Sequence, residues 1–167
     1  PWVVCAYWGK VRAVGGFSVT FLEPTQEDVM EAIYQAIVAS PDSPFRGIPD
    51  AIRSDNGSQF TANAVEIAQV LLQVDAIVGE PYQPHLNGLL ERFHLTLKQE
   101  FEIGKPHNKK GPKKRDGKTT EWPKGYYLDH DDFVDEFIEY IYNYNFKRKH
   151  SSLERGEQTP FEAWEAE

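Results

Sequence analysis

Two carboxylates stand where this sequence has its clearest prospect of chemistry. Asp55 follows a short apolar run, Ala51 and Ile52, that reads as a strand, and Asn56-Gly57 is a strong turn signal. Glu91 lies in a helical pattern whose apolar positions are Leu86, Leu90, Phe93, Leu97 and Phe101. That spacing turns Glu91 onto a neighbouring face with Asn87, His94 and Lys98. One carboxylate thus leaves the end of a strand and the other projects from a helix, with 35 residues between them. Magnesium favours hard oxygen ligands, takes one or two carboxylates, and leaves positions for water and phosphate oxygens. In two-metal phosphoryl transfer such ions activate the attacking oxygen and stabilise the leaving one. Taken singly, an Asp before Asn-Gly is an ordinary turn residue, and a Glu on a helix is an ordinary solvated one.

Together the two segments resemble the catalytic core of the retroviral integrase and bacterial transposase superfamily, the DDE enzymes of RNase H-like fold. That family's second acid lies in T/S-D-N-G-x-x-F, matched by Ser54-Asp55-Asn56-Gly57-Ser58-Gln59-Phe60. Its third lies in P-x-x-P-x-x-N-G-x-x-E-R, matched by Pro81, Pro84, Asn87, Gly88, Glu91 and Arg92. The separation of the two acids is also a family feature. The resemblance implies that Asp55 and Glu91 are catalytic and hold magnesium, for which manganese substitutes. It further implies that Asn87 supports the turn into the helix and touches DNA, and that Lys98 contacts phosphate. Arg92 is expected to pair with an acid within the fold.

The elements that would position these residues follow in order. Trp2 to Trp8 and Val11 to Leu22 read as a hairpin, with Gly15-Gly16 marking a bulge or a close backbone approach. Thr25 is the expected N-cap of a helix with Asp28 at its third position and Val29, Ile33, Ala36 and Ile37 inward. Pro41 to Pro49 is a turn-rich connection into the strand before Asp55. Thr61 is expected to cap a second helix with Val65, Ala68, Leu71 and Leu72 inward, and Asp75 to Val78 is a short strand. Pro81 to Pro84 is an extended approach to the helix of Glu91. A last long helix from Asp129 turns Phe133, Phe137, Ile138, Ile141 and Tyr144 inward. The order is that of an α/β domain with an RNase H-like mixed sheet flanked by helices, starting at that fold's second strand. The expected divisions are a core over 1–103, a basic flexible loop over 104–126, and a helical part of the same core over 127–167. The ending, Y-N-F-K-R-K-H-S-S-L then Q-T-P-F-E-A-W, is similar to the Y-N-x-x-R-x-H-x-x-L and T-P-x-E-x-W endings of bacterial and mobile-element cores.

The resemblance also carries an expectation about what stands upstream. The family's first acid sits on the fold's first strand, yet no acidic residue here precedes Glu23, and the chain opens on Pro1 within a strand-like run. The first Asp is therefore expected before Pro1. Glu27 or Asp28 is a poorer candidate, because helix-start acids already serve the cap and the dipole.

Composition narrows the class. Hydrophobic content of 40% and aromatic content of 13% in 167 residues fit one folded domain. No apolar run reaches the roughly 20 residues needed to span a bilayer. The single Cys5 excludes an internal disulfide and reads as a small buried side chain. No His/Cys spacing suits zinc, and no P-loop or Rossmann fingerprint is present. The net charge of −8 argues against a nucleic-acid partner until its distribution is considered. Lys105, Lys109, Lys110, Lys113, Lys114, Arg115, Lys118 and Lys124 face only Asp116 and Glu121, so that segment is +6 and the remainder −14. It reads either as a solvated loop or as a phosphate-contacting one, with Lys109, Lys110, Lys113, Lys114 and Arg115 as DNA-binding candidates. Lys147, Arg148, Lys149 and His150 read as DNA contacts or as a solvated helix end whose cations complement the dipole. The expected function is a magnesium-dependent transposase or integrase that cuts element ends and joins them to target DNA. It would act as a homo-oligomer on DNA, in the bacterial cytoplasm at the nucleoid, with no membrane partner. The alternatives are a non-catalytic DNA-binding or assembly module and an RNase H-like nuclease.

Overall fold

The computed structural model describes residues 1–38, 43–54, 59–78, 84–102 and 129–167. Trp2–Trp8 and Ala13–Thr20 form β1 and β2, an antiparallel pair running from Trp2 opposite Thr20 to Trp8 opposite Ala13. The register shifts between Ala6 and Tyr7, which leaves Gly15 as the extra residue of a bulge. Both readings of Gly15-Gly16 hold. A Cβ on Gly15 would fall 2.4 Å from Trp8 Nε1, and one on Gly16 would fall 2.1 Å from the Ala32 carbonyl oxygen. The first glycine admits an indole and the second admits a helix backbone.

That helix is α1, Gln26–Ile37, and it starts at Thr25 as expected. The Thr25 hydroxyl accepts from the Asp28 N–H, while the Asp28 carboxylate accepts from the Thr25 N–H at 2.8 Å. α1 buries Val29, Ala32 and Ala36. β3 (Ala51–Ser54) and β4 (Asp75–Val78) pair in parallel, Ala51 beside Asp75 and Ser54 beside Val78. Between them runs α2, Gln59–Leu72. It begins two residues before Thr61, so Thr61 stands inside the first turn and does not cap the helix. α2 buries Ala64, Val65 and Ala68, but Leu71 is 70% exposed, contrary to expectation. Leu72 continues the centre of the buried stripe, and Leu71 falls about a quarter-turn to its side. Buried Gln69 donates to the Ile52 carbonyl at 2.9 Å, which ties α2 to β3.

The chain divides into two compact units, Pro1–Asn87 with Tyr142–Glu167, and Gly88–Ile141. In the first, Val29, Ala64 and Val65 pack with Val4, Met30, Ile33 and Ile52. A second cluster gathers Val11, Ala13, Phe45, Leu153 and Ala163 around Trp8, Phe146, Phe161 and Trp164. Phe45, 1% exposed, anchors the expected turn-rich connection in this cluster. α5, Pro160–Glu165, closes this unit behind a Thr159–Glu162 capping box. In the second unit, α3 (Pro84–Leu97) runs into a wider π turn over Lys98–Glu102. Phe93, Leu97 and Phe101 are buried, and the Phe101 ring lies 5.4 Å from Phe133, 5.3 Å from Phe137 and 5.2 Å from Tyr140. Those partners belong to α4, His130–Phe146, whose first turn is capped by Asp129 accepting from the Asp132 N–H at 2.9 Å. Ile138, expected inward, is 49% exposed, because the stripe of Phe133, Phe137 and Ile141 passes about a quarter-turn from it.

The result is a mixed α/β arrangement compatible with an RNase H-like, integrase-type fold. Among the described residues the strands form two separate pairs, one antiparallel and one parallel, in place of the single mixed sheet expected. No helix among them is long and apolar enough to cross a membrane.

The C-terminal end of α4 returns to the hairpin. Asn145, 3% exposed, accepts from the Val14 N–H at 3.0 Å and donates to the Val14 carbonyl at 2.9 Å.

Three stability tests follow from these contacts. Gly16→Ala must push α1 off β2 and should destabilise by roughly 1–3 kcal/mol in urea titration; an unchanged midpoint would refute the close approach. Asn145→Leu fills the space but strands both Val14 groups, for an expected loss of roughly 2–5 kcal/mol. A loss below about 0.5 kcal/mol would mean that water replaces the amide. The Asp28 carboxylate is held below its ordinary value, chiefly by the Thr25 N–H and further by the Thr25 and Ser18 hydroxyls. A depressed folded value means that this contribution is present above the unfolded value of about 4 and is lost as pH falls further. Asp28→Asn should therefore flatten the acid limb of the stability–pH curve, and an unaltered limb would remove Asp28 from it.

Candidate functional site

The parallel pair brings the C-terminal ends of β3 and β4 side by side, Ser54 next to Val78. Ser54 is the residue before Asp55, and the chain after Val78 leads to α3. Ligand sites of open α/β sheets favour this end of the strands. Asp55 itself lies outside the described residues. So do residues 81–83 of the expected extended approach, whose last residue, Pro84, instead opens α3, and the basic segment with Lys109, Lys110, Lys113, Lys114 and Arg115.

Glu91 is on α3, where it was expected, and its side chain is exposed together with Arg92, His94 and Lys98. What fixes this face is the opposite one. Phe93, Leu97 and Phe101 are each at most 4% exposed, so the helix cannot rotate without drawing aromatic surface into water. Asn87 also belongs to α3, one turn before Glu91. Lys98 begins the π turn, a wider turn that recurs at functional sites. The His94 ring leans on Phe93 at 5.7 Å. Among the described residues no group of three or more His, Cys, Asp or Glu side chains comes together to hold a metal ion. Glu91 supplies the right ligand type, a hard carboxylate open to solvent.

A second constellation, on β1, the hairpin turn and the end of α4, was only half visible in the sequence. The Tyr7 and Tyr144 hydroxyls are hydrogen-bonded at 3.1 Å. The Arg148 guanidinium lies 5.5 Å from the centre of the Tyr144 ring, and the His150 ring meets the same ring edge-on at 5.0 Å. Arg12, held at φ 62° in the left-handed region, acts electrostatically on both Tyr7 and His150. Burial, then Arg148 and Arg12, lowers the His150 pKa to about 4, so the imidazole is neutral at physiological pH. Burial raises Tyr7, against the opposing effects of Tyr144 and the two arginines. Arg148 and His150 stand in the run already noted. Arg12 and Tyr7 had no signal beyond a cation after a turn and an aromatic in a strand. Cys5 is no nucleophile, since burial pushes its thiol up to about 12.

Comparison with known proteins agrees with these elements. Residues 1–106 match the family model of the TnsB C-terminal domain. The transposase for transposon Tn552 from Staphylococcus aureus is 28% identical over 103 residues, 60% of this chain and 22% of that protein. The Gag-Pro-Pol polyproteins of Mason-Pfizer monkey virus and simian retrovirus SRV-1 are 39% and 38% identical over 56 residues, 34% of this chain and 3% of each polyprotein. The chain therefore spans about a fifth of the length of the first relative and far less of the others. Since the matched stretch takes in most of the chain and both acid-bearing motifs, the protein belongs to the TnsB C-terminal domain family, within the transposase and integrase superfamily.

Proposed function

We propose that this chain is part of a DNA transposase core that catalyses metal-dependent cleavage of element ends and strand transfer into target DNA. The observation that carries the reading is the side-by-side ending of β3 and β4, one leading directly to Asp55 and the other to the helix that exposes Glu91. Asp55 and Glu91 are the residues that would hold magnesium or manganese. When bound, the ions supply activation of the attacking oxygen and charge stabilisation at the phosphorus. Glu91 approaches the substrate from a helix whose rotation is locked by its aromatic face. Asn87 stands a turn earlier for a substrate contact, and Lys98 and the Lys109–Arg115 run offer cations for phosphates. The work would be done by a homo-oligomer on paired DNA ends, in the bacterial cytoplasm.

One observation favours a second reading. The matched family model is that of a TnsB C-terminal domain, which is consistent with a module that binds and assembles on DNA without cutting it.

A cleavage and joining assay with end-bearing duplexes, in magnesium or manganese, tests both. It is run on this chain and on a version carrying whatever coding sequence precedes Pro1. Asp55→Asn and Glu91→Gln should each lower turnover by about a hundredfold or more while DNA affinity stays within about twofold. Chelation should abolish turnover in the same way. Activity that survives both substitutions would sink the site assignment. DNA binding without turnover in either version favours the assembly module.

A further inference from the structure

We infer that Tyr142, seated on Phe146 and flanked by Lys147, forms a stacking site for an unpaired base of single-stranded DNA. The choice of DNA rests on the function proposed above. The site itself rests on a graded stack of aromatic rings. Phe45, 1% exposed, lies at its root, with the Phe146 ring centred 5.8 Å away. Phe146 is half-buried and also meets Phe161 at 5.0 Å. On Phe146 stands the Tyr142 ring, 4.9 Å away and within 28° of parallel, yet Tyr142 is 52% exposed. The stack begins in the core and ends in solvent, so a further flat ring would extend it. A tyrosine has two side-chain torsions, and Phe146 already restricts them. A base that settles there therefore immobilises little that was free.

An exposed aromatic ring would equally suit an apolar peptide, and charge decides between the two. Residues 140–153 hold Lys147, Arg148 and Lys149 and no acid, a net +3 within a chain of −8. Lys147 and Lys149 are exposed, and Lys149 acts on Glu162. Lys147 is the cation at the ring, its ammonium 5.2 Å from the centre of Tyr142. That ammonium rides on a flexible four-carbon stem, so it can pass from the ring to a phosphate while the base takes the ring. Aromatic rings interleaved with cations are the pattern that holds a single strand, the rings taking bases and the cations the backbone. Every base has a π-face, so the site tolerates sequence. In a duplex the bases are stacked on one another and closed to it, so the site selects unpaired nucleotides.

The test uses a single strand of about twelve nucleotides carrying a 2-aminopurine, whose fluorescence is quenched by stacking. Binding is measured without metal, which separates it from catalysis by Asp55 and Glu91. The chain should bind the strand and quench the probe. Tyr142→Ala should weaken binding on the order of tenfold and abolish the quench, whereas Tyr142→Phe should retain both. Lys147→Gln should reduce the salt slope by about 0.7 and leave the quench at saturation unchanged. Affinity for a blunt duplex should stay within about twofold in Tyr142→Ala. An equal loss for the duplex overturns the selectivity for an unpaired base. A fully abasic strand that binds as tightly as the base-bearing one overturns stacking, and a quench that survives Tyr142→Ala overturns the site. Duplex binding without single-strand binding overturns this proposal alone; binding of neither overturns it together with the proposed function. Should Tyr142→Ala fail to fold, photo-crosslinking of a 5-iodouracil strand to the unaltered chain decides. Attachment at Tyr142 supports the site and attachment elsewhere overturns it.

Discussion

The side-chain amide of Asn145 is the contact on which most of the first unit depends. Its two polar ends meet the two backbone groups of one residue, Val14, across 131 positions of sequence. Both residues are buried, so each of the two bonds replaces water with a protein partner for the groups that make it. The amide acts as a short surrogate strand along the outer edge of β2, where exposed backbone would otherwise invite pairing with another chain. It also brings Tyr144 to Tyr7 and carries the end of α4 to the hairpin. Phe146, Leu153, Phe161 and Trp164 can then close over Val11, Ala13 and Phe45. Polar pairing sets the register here and apolar burial supplies the bulk of the energy.

The same logic runs through the glycines opposite. Gly16 lets the α1 backbone rest on β2, and Gly15 makes room for the Trp8 indole that stacks edge-on with Trp164 at 5.4 Å. A bulge that looks like a defect of the hairpin thus sets the distance between strand and helix.

Much of this was readable in the sequence where a pattern had a single physical solution. Thr25 with Asp28 makes a reciprocal cap, and Phe93, Leu97 and Phe101 have one helical phase that buries them together. The family match over 1–106 followed the two motifs for the same reason, since each constrains residue type and spacing at once. The failures came where several solutions compete. Thr61 is a good cap in isolation, but α2 had already started at Gln59. Leu71 and Ile138 are apolar residues at the flank of a stripe, where composition cannot decide between core and surface. Phe45 looked like part of a turn because its burial depends on α5, over a hundred residues later. Arg12 was invisible because its significance depends on which donors go unmet, and only three-dimensional neighbours decide that.

The two constellations obey opposite electrostatic rules. At Glu91 the carboxylate is exposed, and its helix is held by the apolar burial of Phe93, Leu97 and Phe101 behind it. At Arg12, Nε and Nη1 are shielded from water without a hydrogen-bond partner, so they stand as a desolvation cost within the fold.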